Sequence, residues 1–161
     1  MKINKSIIFI LVILTIVSTF LSCSQGQANA PSGMKRLSND FADYNMYVPE
    51  AWVIVSDENT GYSSAYQSER DRSNITVTAF EVNKDYASLD EFWSEYEEDF
   101  KNTFSEIEII SNQRTTLDGY EAKSVEYTAT ITGTKYKYMQ LFCIRGRTVF
   151  MITYTSSEEK Y

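Results

Sequence analysis

From Glu106 to Thr155 the chain is four strand-like runs joined by three glycine turns, and few folds accommodate that pattern. Glu106–Thr116 meets Tyr120–Ile131 across Asp118-Gly119, a dipeptide suited to the left-handed backbone of a two-residue hairpin turn. Thr132-Gly133-Thr134 leads into Lys135–Ile144, and Arg145-Gly146-Arg147 leads into Thr148–Thr155. Turns this short can only join antiparallel neighbours, so the half reads as a meander. Upstream, Phe41–Val48 (closed by Pro49), Trp52–Ser56, Tyr62–Gln67 and Asn74–Val82 read as further strands. Asp57–Gly61 and Ser68–Ser73 have loop chemistry.

One helix interrupts the strands. Leu89, Phe92, Trp93, Tyr96, Phe100 and Phe104 recur at three- and four-residue spacing, an apolar stripe meant for a sheet. Ser88 followed by Glu91 matches a capping box, and Asp90 and Glu91 suit the positive end of the helix dipole. The opposite side carries Glu95, Glu97, Glu98, Asp99 and Lys101. The expected class is α+β: an antiparallel sheet with helices packed on its faces.

The first 22 residues read as an address. Lys2 and Lys5 precede an apolar run, Ile7–Leu14 with Ile16, Val17 and Phe20, and no acid occurs before Asp40. Leu21-Ser22-Cys23-Ser24 resembles the lipobox of bacterial lipoproteins, in which the Cys thiol takes a diacylglycerol. The competing reading is an ordinary export signal with an incidental Cys. On the lipoprotein reading residues 1–22 are removed, 23–38 are a flexible tether rich in Ser, Gln, Gly, Asn and Ala, and 39–161 are the folded domain. Anchoring is then through acyl chains, on the extracytoplasmic side of the cell membrane. Cys143, in an apolar run, becomes the mature chain's one thiol and suits a buried inert position.

Charge and composition exclude several functions. The chain has 15 basic and 22 acidic residues, and losing Lys2 and Lys5 with the signal leaves 13 against 22, a net of −9. Such a body repels nucleic acid. With no His in the sequence, no Ser-His-Asp or Cys-His nucleophile system and no His-ligated metal can form. The acidic helix face lacks the converging oxygens that calcium requires, so no metal or cofactor is expected and the chain does not read as an enzyme. Tyr120, Tyr127, Tyr136 and Tyr138 either line a ligand groove or fill strand positions that favour tyrosine.

Three segments carry a resemblance to a known family: Tyr47-Val48-Pro49-Glu50-Ala51-Trp52, then Leu117-Asp118-Gly119-Tyr120 with Ala122, Tyr138 and Gln140, then Val149-Phe150-Met151-Ile152-Thr153-Tyr154. With the order of elements, they resemble the PsbP-like superfamily, in its bacterial lipoprotein branch, over about residues 41–161. The resemblance implies an α/β/α sandwich and carries over no catalytic motif. The plant member that names the superfamily helps retain calcium and chloride in photosystem II, and no matching ligand set occurs here. Two functional classes follow: a non-catalytic accessory module for a protein partner, or a carrier of a small ligand or cell-wall component using an aromatic groove.

The meander strands are apolar on both sides, for example Met139, Leu141 and Cys143 against Phe142 and Ile144. Two apolar faces need two covering layers. Ser156–Tyr161 reads as the start of a second helix, too short to be stable alone, so an exposed apolar strip over the meander is expected. The lipobox gives a direct prediction. Cys23→Ser should abolish metabolic palmitate labelling and release the protein or leave it uncleaved; labelling that persists in the variant refutes acylation at Cys23.

Overall fold

A computed structural model of the chain describes residues 30–161, apart from 58, 69, 72 and 105. The export signal and Cys23 lie outside the described residues. Among the described residues the strands are β1 (Met34–Asn39), β2 (Tyr44–Pro49), β3 (Val53–Asp57), β4 (Tyr62–Tyr66), β5 (Asn74–Glu81), β6 (Ile107–Leu117), β7 (Tyr120–Ile131), β8 (Thr134–Arg145) and β9 (Thr148–Ser157), with helix α1 (Leu89–Thr103) after β5. β1 and β2 form a separate hairpin, and the rest form a seven-stranded sheet in the order β3-β4-β5-β9-β8-β7-β6. Every pairing is antiparallel.

The expected meander is present, and its first turn has the backbone the dipeptide implied. Asp118 at φ 50 and Gly119 at φ 81 place both central residues in the left-handed region. A register shift between Ile109 and Ser111 in the edge strand β6 leaves Ile110 at 51% exposure.

The helix starts as its sequence requires. The Ser88 hydroxyl accepts from the Glu91 amide at 3.1 Å, and the Glu91 carboxylate accepts from the Ala87 amide at 2.8 Å, one residue before the cap. Asp90, in the first turn, pairs with Arg114 of β6 and, at 3.2 Å, with Lys123 of β7. Those cations, Arg114 first, hold the Asp90 carboxyl below its usual range. The sign is that of a depressed acid: the bridge stabilises the fold above the ordinary carboxylate range and is lost as acid protonates Asp90.

The helix buries Leu89, Phe92, Trp93 and Phe100. They meet Val125, Tyr127, Ala129, Tyr136, Tyr138, Phe142 and Val149, all from one face of the sheet. Phe142 is the hub, with the Trp93 and Tyr96 rings each centred 5.4 Å away, while Phe100 meets Tyr127 edge-on at 4.8 Å.

The opposite face has a different cover from the one expected. No second helix lies there among the described residues. Ser156 and Ser157 continue β9 by pairing with Lys137 and Tyr136, and only Glu158–Lys160 turn away. The buried Ser156 hydroxyl bonds that of Ser73 at 2.9 Å, an anchor that belongs to a strand end rather than to a helix cap. The second layer is the β1–β2 hairpin, whose Leu37 and Val48 pack on Ala65 and Val77 with Met46, Trp52, Ile54 and Ile152 around them. Among the described residues the layers are therefore helix, sheet and hairpin, and the second helical layer of an α/β/α sandwich is not found.

β1 also corrects the tether boundary. The sequence places residues 34–38 in the flexible tether, since Leu37 is the one strongly apolar residue there apart from Met34. Two devices order them. Pro31-Ser32-Gly33 turns the chain, with the Met34 amide donating to the Pro31 carbonyl at 3.0 Å and Gly33 at φ 77. At the other end Asn39 is buried and its amide donates to the carbonyls of Thr60 at 2.8 Å and Asp57 at 3.2 Å, while its carbonyl accepts from Ala42 at 3.1 Å. A tether residue could be truncated without loss, whereas Leu37→Ala should cost about 2–5 kcal/mol, comparable to Trp93→Ala in the other cluster. The exposed Glu98→Ala should change stability by no more than about 0.5 kcal/mol. Urea unfolding checks all three, and a Leu37→Ala value as small as that of Glu98→Ala would return β1 to the tether.

Candidate functional site

Cross-strand pairing shows which residues share the hairpin-covered face. Val77 lies opposite Ile152 and Ile152 opposite Leu141, while Cys143 is flanked by Phe150 and Ala122. The hairpin covers the part of this face built by β4 and β5. Beyond it, over β9 and β8, a cleft of about 730 Å³ remains open, reaching from β2 to the β6–β7 turn. Its floor is Ile75, Val77, Leu141, Cys143, Phe150 and Ile152, one wall is Tyr44 to Met46, and its far end is Leu117, Asp118 and Tyr120. The Tyr44 ring stands edge-on to Phe150 with centroids 6.5 Å apart, which fixes the wall to the floor.

The mouth carries the charge. Arg145, at the end of β8, donates to the Asp43 carboxylate at 2.9 Å, joining the hairpin tip to the sheet. That bond, more than any other influence, pushes the guanidinium pKa up. Asp118, across the mouth, is exposed and has no ion pair among the described residues. Cys143 on the floor is 4% exposed, and burial pushes its thiol pKa up. A nucleophilic cysteine needs the opposite shift. The arrangement suits holding an apolar molecule by its body and reading one polar or charged end at the mouth.

The four tyrosines singled out from the sequence do not form one groove. Tyr120 lines the cleft and is 45% exposed. Tyr127, Tyr136 and Tyr138 are on the other face, buried against the helix, with Tyr127 and Tyr138 stacked at 4.7 Å. Their role is packing, and burial raises the pKa of the Tyr127 and Tyr138 phenols. The sequence reading missed Asp43, Tyr44, Leu141, Arg145 and Phe150. Strand parity was the available signal: Tyr120 and Tyr127 are an odd number of residues apart, so one strand presents them to opposite faces.

The acidic helix face is engaged by cations rather than poised around an empty point. Lys84 pairs with Glu95 and, at 3.7 Å, with Glu91, and Lys101 meets Glu97 at 2.7 Å. Among the described residues no three His, Cys, Asp or Glu side chains converge as metal ligands would.

No protein-family model and no curated protein matches the chain. Solved structures do match in fold. Cyanobacterial PsbP from Synechocystis superposes with a TM-score of 0.61 at 15% identity, covering 86% of this chain and 88% of that one. The Ran-binding protein Mog1p of Saccharomyces cerevisiae matches with a TM-score of 0.56 at 14% identity, over 77% of each chain. A Pseudomonas aeruginosa protein of unknown function matches with a TM-score of 0.53 at 15% identity, over 78% of this chain and 84% of that one. The chain thus has the PsbP-like fold that its sequence resembled.

The floor makes a prediction about Cys143. In a chain carrying Cys23→Ser, alkylation of Cys143 by iodoacetamide at mildly alkaline pH should be at least about tenfold slower in the native state than in denaturant, since both burial and the raised pKa suppress the thiolate. Equal rates, read by mass spectrometry over time, would mean that the thiol is open to solvent.

Proposed function

We propose that this chain is a non-catalytic binding module, carried on the outer side of a bacterial cell membrane by acyl chains on Cys23, and that its site is the cleft between the β1–β2 hairpin and the sheet. The observation that carries the reading is the floor. Leu141, Phe150 and Ile152 are only partly buried although they sit at the centre of a seven-stranded sheet, where a covering layer normally hides such residues. An apolar surface kept concave and rimmed by charge is the usual form of a small-molecule site, and its volume lies within the common range. Burial raises the pKa of the thiol on the floor and so disfavours its thiolate, which supports binding over chemistry. The occupant is a small, largely apolar molecule, and the acidic body argues against nucleic acid.

A protein partner remains the second reading, favoured by a separate feature. Beyond the helix, on its own side of the sheet, β3 to β5 expose Val53 at 45%, Val55 at 49%, Tyr62 at 42% and Phe80 at 36%. Mog1p, which shares the fold, is a Ran-binding protein, so this architecture can serve protein recognition.

The cleft reading is tested with N-phenyl-1-naphthylamine, a neutral apolar fluorophore. It should bind the wild type saturably at one site, and Leu141→Asn should weaken it by about tenfold or more, as expected when a polar amide is set unpaired into an apolar floor. Circular dichroism melting should remain cooperative in the variant. Equal binding to both chains would place the fluorophore elsewhere and remove the support for the cleft.

A further inference from the structure

The mouth of the cleft has an asymmetry of charge that the floor does not determine. Three ionised groups stand there: Asp43, Arg145 and Asp118. Asp43 and Arg145 are bonded to one another at 2.9 Å and neutralise each other. Asp118 acts on the same guanidinium from a distance without bonding it, so two carboxylates share one cation and the mouth keeps a net negative charge. We infer that the cleft takes a small cationic amphiphile, an apolar chain bearing one ammonium-type group that settles beside Asp118. This rests on the cleft being the binding site, and it adds the chemical class of the ligand.

The alternative, an anion captured by Arg145, fails on the same geometry. Arg145 spends one nitrogen on Asp43 and keeps other N–H donors, but an anion that reaches them meets two carboxylates, Asp43 and Asp118, set against that single cation, in a chain whose formal net charge is already −7. A cation meets the reverse situation. It leaves the Arg145–Asp43 bridge intact, gains an attraction to Asp118, and is drawn in by the field of the whole body. Tyr120, next to the turn and 45% exposed, adds an aromatic surface of the kind that favours alkylammonium groups. The polar groups lie at one end and the mouth of a short apolar trough, which matches one chain with one head rather than an extended polymer.

The position of Asp118 makes the test clean. It is the first residue of a two-residue turn at φ 50, a conformation that Asp and Asn both adopt readily. Asp118→Asn therefore removes the charge and keeps the turn. The probes are decylammonium, decanol and decanoate, used below their micelle concentrations at low ionic strength and read by displacement of N-phenyl-1-naphthylamine. Decylammonium should bind the wild type about tenfold or more tighter than decanoate, a difference of the size that one near-surface charge produces. In Asp118→Asn, and at high salt, the preference should shrink to a few-fold or less. Decanol should bind both chains equally.

A decanoate affinity equal to or above that of decylammonium overturns the inference, as does a preference that survives in Asp118→Asn. If decanol binds and the ammonium gains nothing over it, the charge inference fails while the cleft stands. If none of the three displaces a fluorophore whose binding Leu141→Asn weakens, the amphiphile inference fails while the cleft stands. A lysine-bearing apolar hexapeptide that binds where decylammonium does not would likewise refute the small-amphiphile class.

Discussion

The fold depends on one constraint: a central sheet that is apolar on both faces has to be covered twice. A single helix can bury one face only. The demand is visible in β8, where Tyr136, Tyr138 and Phe142 turn to the helix while Leu141 and Cys143 turn away from it. The chain meets it with two layers of unlike kind, a helix inserted between β5 and β6 and a hairpin that precedes the whole sheet. The hairpin has little apolar content of its own. It is held by Leu37 and Val48 in the middle and by polar anchors at its tip, Asn39 on the β3–β4 loop and Asp43 on Arg145.

The two clusters are not independent, because the last strand joins them. β9 lies between β5 and β8 and is the only link between the three early strands and the meander in the sheet order. Val149 is buried in the helix-side cluster, and Ile152 packs against the hairpin-side one. Until β9 is in place neither core is complete, and its pairing with β5 brings together residues far apart in the chain, such as Val77 and Ile152, which are 75 positions apart. Closing so distant a pair carries a larger loop entropy than the hairpin turns do, and pairings of that kind slow folding. Gly61 bears on the same region, where β4 approaches β5 so closely that a Cβ there would sit 2.1 Å from the Ala79 carbonyl oxygen. The close approach is possible because the residue has no side chain.

What could be read from the sequence was local. Asp118-Gly119 specified its turn, and Ser88 with Glu91 specified the helix start, because the groups that satisfy one another lie within four residues. β1 was not legible, because what orders it is distant: Asn39 donates to carbonyls 18 and 21 residues away. The candidate site divides in the same manner. Tyr120 could be named from its sequence, but Asp43 and Arg145 are 102 residues apart and no pattern along the chain connects them. Tyr127, Tyr136 and Tyr138 looked like groove residues because composition does not say on which face the helix will settle. The end of β9 misled for a related reason. Ser156-Ser157-Glu158-Glu159 has the composition of a helix cap, yet the Ser156 hydroxyl is bonded to Ser73, 83 residues earlier.

The cleft itself follows from the width of its cover. Neighbouring strands lie about 4.8 Å apart, so a seven-stranded sheet is roughly 30 Å across and a two-stranded hairpin shields about a third of it. Where the hairpin ends, the sheet must become polar, be covered by something else, or stay apolar and open. Along β6 and β7 the first solution holds, for Ser111, Gln113, Thr115, Ser124 and Glu126 occupy this face. At the far end of β8 and β9 the second holds, with the Tyr161 ring against Tyr154 and under the Lys137 ammonium, 4.1 Å from its centroid. Between them Leu141, Phe150 and Ile152 stay apolar and only partly covered, Ile152 at the edge of the hairpin cluster and Phe150 edge-on to Tyr44. A strip that is polar on one side, capped on the other and still apolar in the middle is hard to attribute to a general shortage of cover. A concave apolar strip with a few charged groups at its mouth is the usual form of a small-ligand pocket.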